Sequence, residues 1–356
     1  MKARSFIARN LIVACAALAP FAVGAQEVIR MTVSSGHSPV FVWVKHLKAT
    51  LMPTVDAELA KTGQYKMAWT EAYGGTLAKL GSELQTVGDG ISDMGMVNTL
   101  FHMGDMPLQN IGYLTPFGAT DPEMVCDVMD ETHKAVPEME AAWTKHNLVR
   151  LVSHCYEDYG MVSKFPIQRL EDMDGRKIGG AGPASTWIKG TGASSVNGNF
   201  ATYYNDLKSG VFDAGIVFLS GAEAGRHFEV APNYIDIGFG AVYAGGVAVN
   251  KARWDAFPDE VKQAFKVGAD AYRVAYFKET RERIASSKQA WTKGGGTILP
   301  FAPEERIRIA QAIDNPVTPW LATSEKANLP ARQVVDAYMG GFRSRGVEFA
   351  RDWDKE

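Results

Sequence analysis

Residues 27–34 read as a strand that breaks at Ser35-Gly36-His37-Ser38-Pro39, after which Phe41, Val44, Leu47 and Leu51 recur at helical spacing. Residues 65–71 predict a second strand with Tyr73-Gly74-Gly75 as its exit loop. Leu77, Leu80, Leu84 and Val87 then mark one face of a helix that stops at Gly88-Asp89-Gly90. The third strand carries a pattern that returns. Gly90-Ile91-Ser92-Asp93-Met94-Gly95-Met96-Val97 has the form G-x-x-D-x-G, apolar, Val. Gly210-Val211-Phe212-Asp213-Ala214-Gly215-Ile216-Val217 repeats it 120 residues later, after a helix predicted over 200–208. Each copy closes a run of loop, helix, glycine stop and short apolar strand, the αβ unit of a doubly wound domain. Either the likeness is chance among glycine-rich turns, or the chain holds two α/β domains of similar build.

Between the copies, 123–132 and 137–145 have helical character, 148–153 is a strand and 160–163 resumes extended structure. Residues 234–239 and 245–250 are later strands. We expect the chain to cross from one domain to the other around 151–156 and to return through 245–250. Residues 170–187 form a turn at Asp174-Gly175, an extended piece, a glycine-rich bend and a helix start with Ser185 in its first turn. Such a segment is either a ligand site, because glycines admit close backbone approach and a helix start offers free N–H groups, or an ordinary strand-turn-helix junction. From Asp259 the chain has no proline until Pro300 and only Gly268 before Gly294, and Val261, Phe265, Ala269, Tyr272, Tyr276 and Phe277 form a stripe. A helix of this length spans ~45 Å, enough to bridge two domains. A strand at 297–301, a helix at 303–312 and a helical tail complete the prediction.

At 356 residues the chain exceeds what a single core comfortably holds, and 46% apolar with 22% charged residues is globular composition. Residues 1–25 differ in kind. Lys2, Arg4 and Arg9 precede an apolar run over 11–23, and Val23-Gly24-Ala25 is a signal-peptidase pattern, so a cleaved leader is expected, with lipid attachment at Cys15 as the alternative. Removal of the leader leaves 34 basic against 40 acidic residues and no basic block, which argues against a nucleic-acid or anionic-lipid partner. No later stretch is apolar enough to span a bilayer, so a periplasmic protein without membrane insertion is expected. In an oxidising compartment Cys126 and Cys155 either pair or remain two buried thiols.

Catalytic signatures are missing. There is no phosphate-cradling loop, nucleophile elbow or zinc helix, and the scattered histidines lack metal-ligand spacing. Gly190-Thr191-Gly192 begins like a dinucleotide fingerprint, but Ser195 stands where the third glycine belongs. No cofactor, metal or catalytic residue is assigned.

The ordered set of a leader, Gly74-Gly75 before a helix, the strand at 90–97, Asp172-Met173-Asp174-Gly175-Arg176-Lys177-Ile178, the turn and strand at 210–215, and Val249-Asn250-Lys251 with Trp254 and Pro258 resembles the solute-binding proteins of tripartite ATP-independent periplasmic (TRAP) transporters, the dicarboxylate-binding-protein family. The resemblance implies a two-lobed type II-like periplasmic binding fold, with two mixed-sheet α/β lobes, hinge strands and a long bridging helix. It implies a small organic acid as ligand and membrane permease subunits as partners. Lobe I is expected over 26–153 with 247–290, and lobe II over 154–246 with 291–356. Relatives commonly follow the Lys-Ile pair with an arginine that grips the ligand carboxylate, and some branches place another where Tyr159 falls. Here the first position is Gly179, so neutral donors and aromatic walls are expected instead.

Position in this scheme selects the candidate ligand-binding residues. His37 lies in a strand-end loop and either caps the next helix or meets ligand. Glu71 and Tyr73 end a strand. Asn98 and Phe218 lie just past the two copies of the repeat and are expected to face each other across the cleft. Tyr156 and Tyr159 are possible carboxylate donors, Trp187 and Tyr243 aromatic walls or core, and Asn197 a contact or a helix cap. Two other readings remain: a secreted two-domain enzyme, or a ligand-presenting subunit of a membrane sensor.

Overall fold

The structure, a computed structural model, describes residues 26–355; the predicted leader and Cys15 lie outside them. Eleven strands run as β1 (Glu27–Ser34), β2 (Tyr65–Ala72), β3 (Met94–Asn98), β4 (Leu148–Tyr156), β5 (Tyr159–Ser163), β6 (Lys177–Gly180), β7 (Ser194–Asn197), β8 (Ala214–Phe218), β9 (Asn233–Asp236), β10 (Val242–Asn250) and β11 (Thr297–Pro300). They form two sheets, ordered β2-β1-β3-β10-β4 and β11-β9-β5-β8-β6-β7. Every residue of β3 and β8 is buried, as expected of strands covered on both faces.

The sequence repeat is a structural one. β3 pairs parallel with β1 and antiparallel with β10, and β8 pairs parallel with β6 and antiparallel with β5. The aspartate of each copy clips its strand to the parallel neighbour. Thr32 N donates to Asp93 Oδ2 at 2.7 Å, and Lys177 N donates to Asp213 Oδ2 at 3.2 Å. The leading glycines, Gly90 and Gly210, have φ of 75° and 80°, which the turn into each strand requires.

β10 and β5 are the strands that exchange the lobes. Each enters the middle of its sheet directly after a strand of the other sheet, through 157–158 in one direction and 237–241 in the other. β4 and β10 lie entirely in the first sheet, so 154–156 and 242–246, expected in lobe II, belong to the first sheet. The physical reason is pairing: Tyr156 opposes Val242, and β10 continues from there without leaving the ladder.

The predicted long helix is present at Asp259–Lys293, 35 residues or ~52 Å. It packs on the helix Met52–Ala60 of the first lobe and on Leu219–Ala224 of the second. Its buried polar rings fasten it to both lobes. Tyr272 Oη donates to Trp43 O at 2.8 Å, Tyr276 Oη to Cys155 O at 2.6 Å, and Trp291 Nε1 to Pro232 O at 3.2 Å. Cys126 and Cys155 are joined in a disulfide, with Cα atoms 5.8 Å apart, tying the helix Pro122–Ala135 to β4.

Three expectations change. Leu77 and Leu80 are not helical: the helix is only Glu83–Gly88, because the preceding segment holds Gly81 at φ 83° and folds as turns. The helix predicted over 200–208 begins at Tyr203. The tail, assigned to lobe II, divides. Pro303–Ala312 packs on Leu170–Met173, but Ala331–Arg343 packs on Pro122–Ala135, and Trp353 Nε1 donates to Pro116 O at 2.7 Å, on the first lobe.

Candidate ligand-binding site

The strand ends supply the site. β1, β3 and β4 all finish at one edge of the first sheet, and buried polar atoms without a protein partner gather there: Ser34 Oγ, His37 Nε2, Thr99 Oγ1 and both ring nitrogens of His154. Buried polar groups in folded proteins are nearly always paired, so these atoms are candidates to meet a ligand or ordered water.

Beside it runs a chain of satisfied groups. Tyr156 Oη donates to Asn98 Oδ1 at 3.0 Å, Asn98 Nδ2 donates to Glu83 Oε1 at 3.3 Å, and Gly81 N donates to Glu83 Oε2 at 2.7 Å. Glu83 and Asn98 are fully buried. His102 Nε2 lies 3.9 Å from Glu83 Oε2, beyond hydrogen-bond reach.

Aromatic rings from both lobes close over these groups. Tyr156 stacks on Phe218 with centroids 5.1 Å apart, and Trp43 meets the edge of Tyr156 at 4.9 Å. Phe200, from the loop before the second-lobe helix, touches Phe218 at 5.0 Å, Phe41 at 5.7 Å and His37 at 6.0 Å. Trp43 Nε1 donates to His37 Nδ1 at 3.4 Å. Burial lowers the His37 imidazole to about 3 and holds His154 well below its usual range. It pushes the Tyr156 and Tyr159 phenols well up. All four are therefore uncharged at neutral pH. A pocket of about 530 Å³ lies between the lobes, with Leu80, Leu100 and Met103 of the first lobe facing Ser185, Asn197 and Asn199 of the second; its wall at Leu100 and Asn199 is one residue along the chain from Thr99 and Phe200.

Of the residues selected from sequence, His37, Asn98, Tyr156 and Phe218 come together. Tyr159 meets the edge of Phe218 at 5.2 Å, with its hydroxyl 3.4 Å from that of Tyr113. Asn197 lines the pocket. Tyr73 has a buried hydroxyl without a partner, in a loop whose Gly74 N donates to His37 O. The others go elsewhere. Glu71 pairs with Lys48 at 2.8 Å near the surface. Trp187 is core: it stacks on Phe239 and Tyr113, and its Nε1 donates to Tyr113 O at 2.6 Å. Tyr243 packs beside His133 of the helix Pro122–Ala135, behind the sheet.

Gly179 contributes no side chain to any pocket. A Cβ there would lie 2.8 Å from Cε1 and Cζ of Phe212. The ring of Phe212 fills the space an arginine would need. The residues missed from sequence are Trp43, Glu83, His154 and Phe200. His154 stands two positions before Tyr156 on the same strand, and that period-two relation places both on one face. Among the described residues no group of three or more His, Cys, Asp or Glu is placed to hold a metal ion.

Against known proteins, the sequence profile of the family described as bacterial extracellular solute-binding protein, family 7, matches residues 44–321. The chain belongs to that family. Its fold is shared with solved solute-binding proteins of low identity. A Bordetella pertussis extracytoplasmic solute receptor binding pyroglutamic acid superposes with a TM-score of 0.76 at 18% identity, over 88% of this chain and 100% of that one. A marine-metagenome TRAP solute-binding protein specific for aromatic acid ligands, in complex with metahydroxyphenylacetate, gives 0.76 at 17%, over 89% and 99%. A TRAP periplasmic solute-binding protein from Sulfitobacter sp. NAS-14.1 with bound β-D-galacturonate gives 0.73 at 19%, over 89% and 100%. The two-lobed α/β architecture of these proteins is thus the architecture of this chain.

Proposed function

We propose that this family 7 protein is an extracytoplasmic receptor that captures an organic acid between its lobes and delivers it to the membrane subunits of a TRAP-type permease. One observation carries the reading: at the carboxyl ends of β1, β3 and β4 the buried polar residues His37 and Tyr156 meet the second-lobe rings of Phe200 and Phe218, and a pocket lies between the same two lobes. The acids named for its structural neighbours share a carboxylate and little else, which suits a family that varies the pocket around one common group. In this chain the carboxylate is met by neutral donors, with His37, Asn98, Tyr156 and Asn197 as contacts and Phe218 and Phe200 as walls. The lobes hinge at 157–158 and 237–241, and the long helix acts as the strut between them. Ligand stabilises the closed form through contacts available only when both lobes meet it.

The role is read as binding rather than turnover, in keeping with a family of solute-binding proteins. Among the described residues no helix is long and apolar enough to cross a membrane, consistent with a receptor that works with separate permease subunits. Calorimetry and thermal melting of the purified protein against galacturonate, glucuronate, pyroglutamate and meta-hydroxyphenylacetate test the reading. One class of acid should release or absorb heat and raise the melting temperature, by the equivalent of about 2.7 kcal/mol at a hundredfold excess over Kd. Silence from a broad acid panel in both assays would refute it.

A further inference from the structure

A second cavity, of about 860 Å³, lies beside the interlobe pocket and shares three wall residues with it, Met103, Leu114 and Thr186. Its walls are the helix Pro137–Lys145, the loop through Leu108, and the segment carrying Pro316, Pro319 and Trp320. Leu108, Leu114 and Trp320 are buried, and Trp320 is fixed by Nε1 donating to Pro107 O at 3.3 Å. The charged residues on the cavity, Asp105, Glu138, Lys145, Lys189 and Asp314, are all exposed. Lys189 pairs with Asp314 at 3.3 Å. The cavity is therefore lined mainly by apolar side chains with charged groups at its solvent edge, and it meets the interlobe pocket at Met103, Leu114 and Thr186.

We propose that the two cavities form one binding space, and that the natural ligand is an elongated acid. Its carboxylate lies in the interlobe pocket, and its apolar chain or aryl extension runs past Met103 and Leu114 into the larger cavity. This rests on the organic-acid reading and adds the shape of the ligand to it. Four features converge. The two volumes share three lining residues, Met103, Leu114 and Thr186, and so lie side by side. Each lies within the roughly 300–1,000 Å³ of ordinary ligand sites, so together they exceed what a compact acid fills. One of the three shared residues is Met103, half-buried, whose unbranched side chain can rotate aside for a passing chain. Among the described residues no arginine or lysine lines the interlobe pocket, so affinity must come from a source other than an ion pair, and buried methylenes supply it.

The test is calorimetric titration of the full protein with straight-chain alkanoates from four to ten carbons and with ω-phenylalkanoates. Once the chain passes the junction, each added methylene should tighten Kd by about fourfold until the cavity is filled. Ala142→Phe, which fills the larger cavity from the helix side, should abolish that gain and leave the shortest binding acid unaffected. Thr323→Trp, on the exposed side of the same cavity, should do likewise, and it keeps the test valid should Ala142→Phe fail to fold. If short acids bind and length brings no gain, the joined-cavity inference is overturned while the organic-acid reading stands. A length dependence that survives both fillings overturns it equally. If no acid of any length binds, both readings fall.

Discussion

The contact between Gly179 and Phe212 can be tested by adding a single carbon. In Gly179→Ala the new Cβ would lie 2.8 Å from two ring atoms of Phe212, about 0.7 Å or more inside ordinary carbon contact. The ring has little room to retreat. It packs against the edge of Tyr203 with centroids 5.3 Å apart, and the spaces over Gly198 and Gly215 are already taken by the rings of Tyr203 and Phe212. Overpacking of this kind costs about 1–3 kcal/mol. Phe212→Ala alone should cost about 3–5 kcal/mol through the cavity it leaves. In the double variant the added methyl enters vacated space, so the sum of the two single losses should exceed the measured loss by about 1–3 kcal/mol. Urea unfolding followed by circular dichroism, with the m-value checked for constancy, measures all four corners. An alanine at 179 within about 0.5 kcal/mol of wild type, or a strictly additive cycle, would show the ring free to move and would break the link between Phe212 and the absent arginine.

Further tests address the hinge, the disulfide and the polar chain. Burial raises Glu157, in the 157–158 crossing, from 4.5 to about 7, against the hydrogen bond its Oε1 accepts from Ser220 N at 3.0 Å. Its protonated form is favoured in the fold, so its contribution is complete below about pH 4.5 and is lost as pH rises towards 7, by up to ~3 kcal/mol. Glu157→Gln should therefore be more stable than wild type at pH 8 and should remove that part of the decline. The comparison must be a difference between proteins, because the buried histidines at 37, 133 and 227 act with opposite sign, losing stability as pH falls below 6.5. A wild-type-like profile for the variant would count against the assignment. Cys126→Ser or reduction by dithiothreitol opens a loop with a sequence separation of 29 and should lower stability by ~3.5 kcal/mol in the chain-entropy account; an unchanged urea midpoint would contradict it. Tyr156→Phe strands Asn98 Oδ1 and should weaken binding of any responsive acid by roughly tenfold at a stability loss of about 1–3 kcal/mol; unchanged affinity would take Tyr156 out of the site.

Local rules were enough for much of the architecture. The stripe from Val261 to Phe277 with its glycine stop marked the long helix, and G-x-x-D-x-G marked both αβ units, because its aspartate and glycine answer to their nearest strand. What was illegible depends on partners distant in sequence. Trp187 turned inward because the Tyr113 carbonyl, 74 positions away, takes its N–H. Tyr243 lies under a helix that no spacing ties to β10. The pairing of Cys126 with Cys155 needed a Cα separation that only the fold provides. Leu77 and Leu80 kept helical spacing while the glycines around them imposed turns. For the site, Gly179 was legible as an absence, and the ring of Phe212 lying over it was not: Phe212 comes just before β8, which meets Gly179 only by pairing with β6.

The exchange of strands between the sheets sets an order on synthesis. β10 lies between β3 and β4, so a chain that has emerged only as far as Tyr156 holds both flanking strands and lacks the one that joins them. The first sheet must wait with open edges until residue 250 has appeared, after five of the six strands of the second sheet have been made. Closure over so long a stretch of chain is slow, and open edges invite wrong pairing in the interval. A molecule with two lobes is thus a single folding unit, and a fragment cut at the first crossing holds a sheet missing its joining strand.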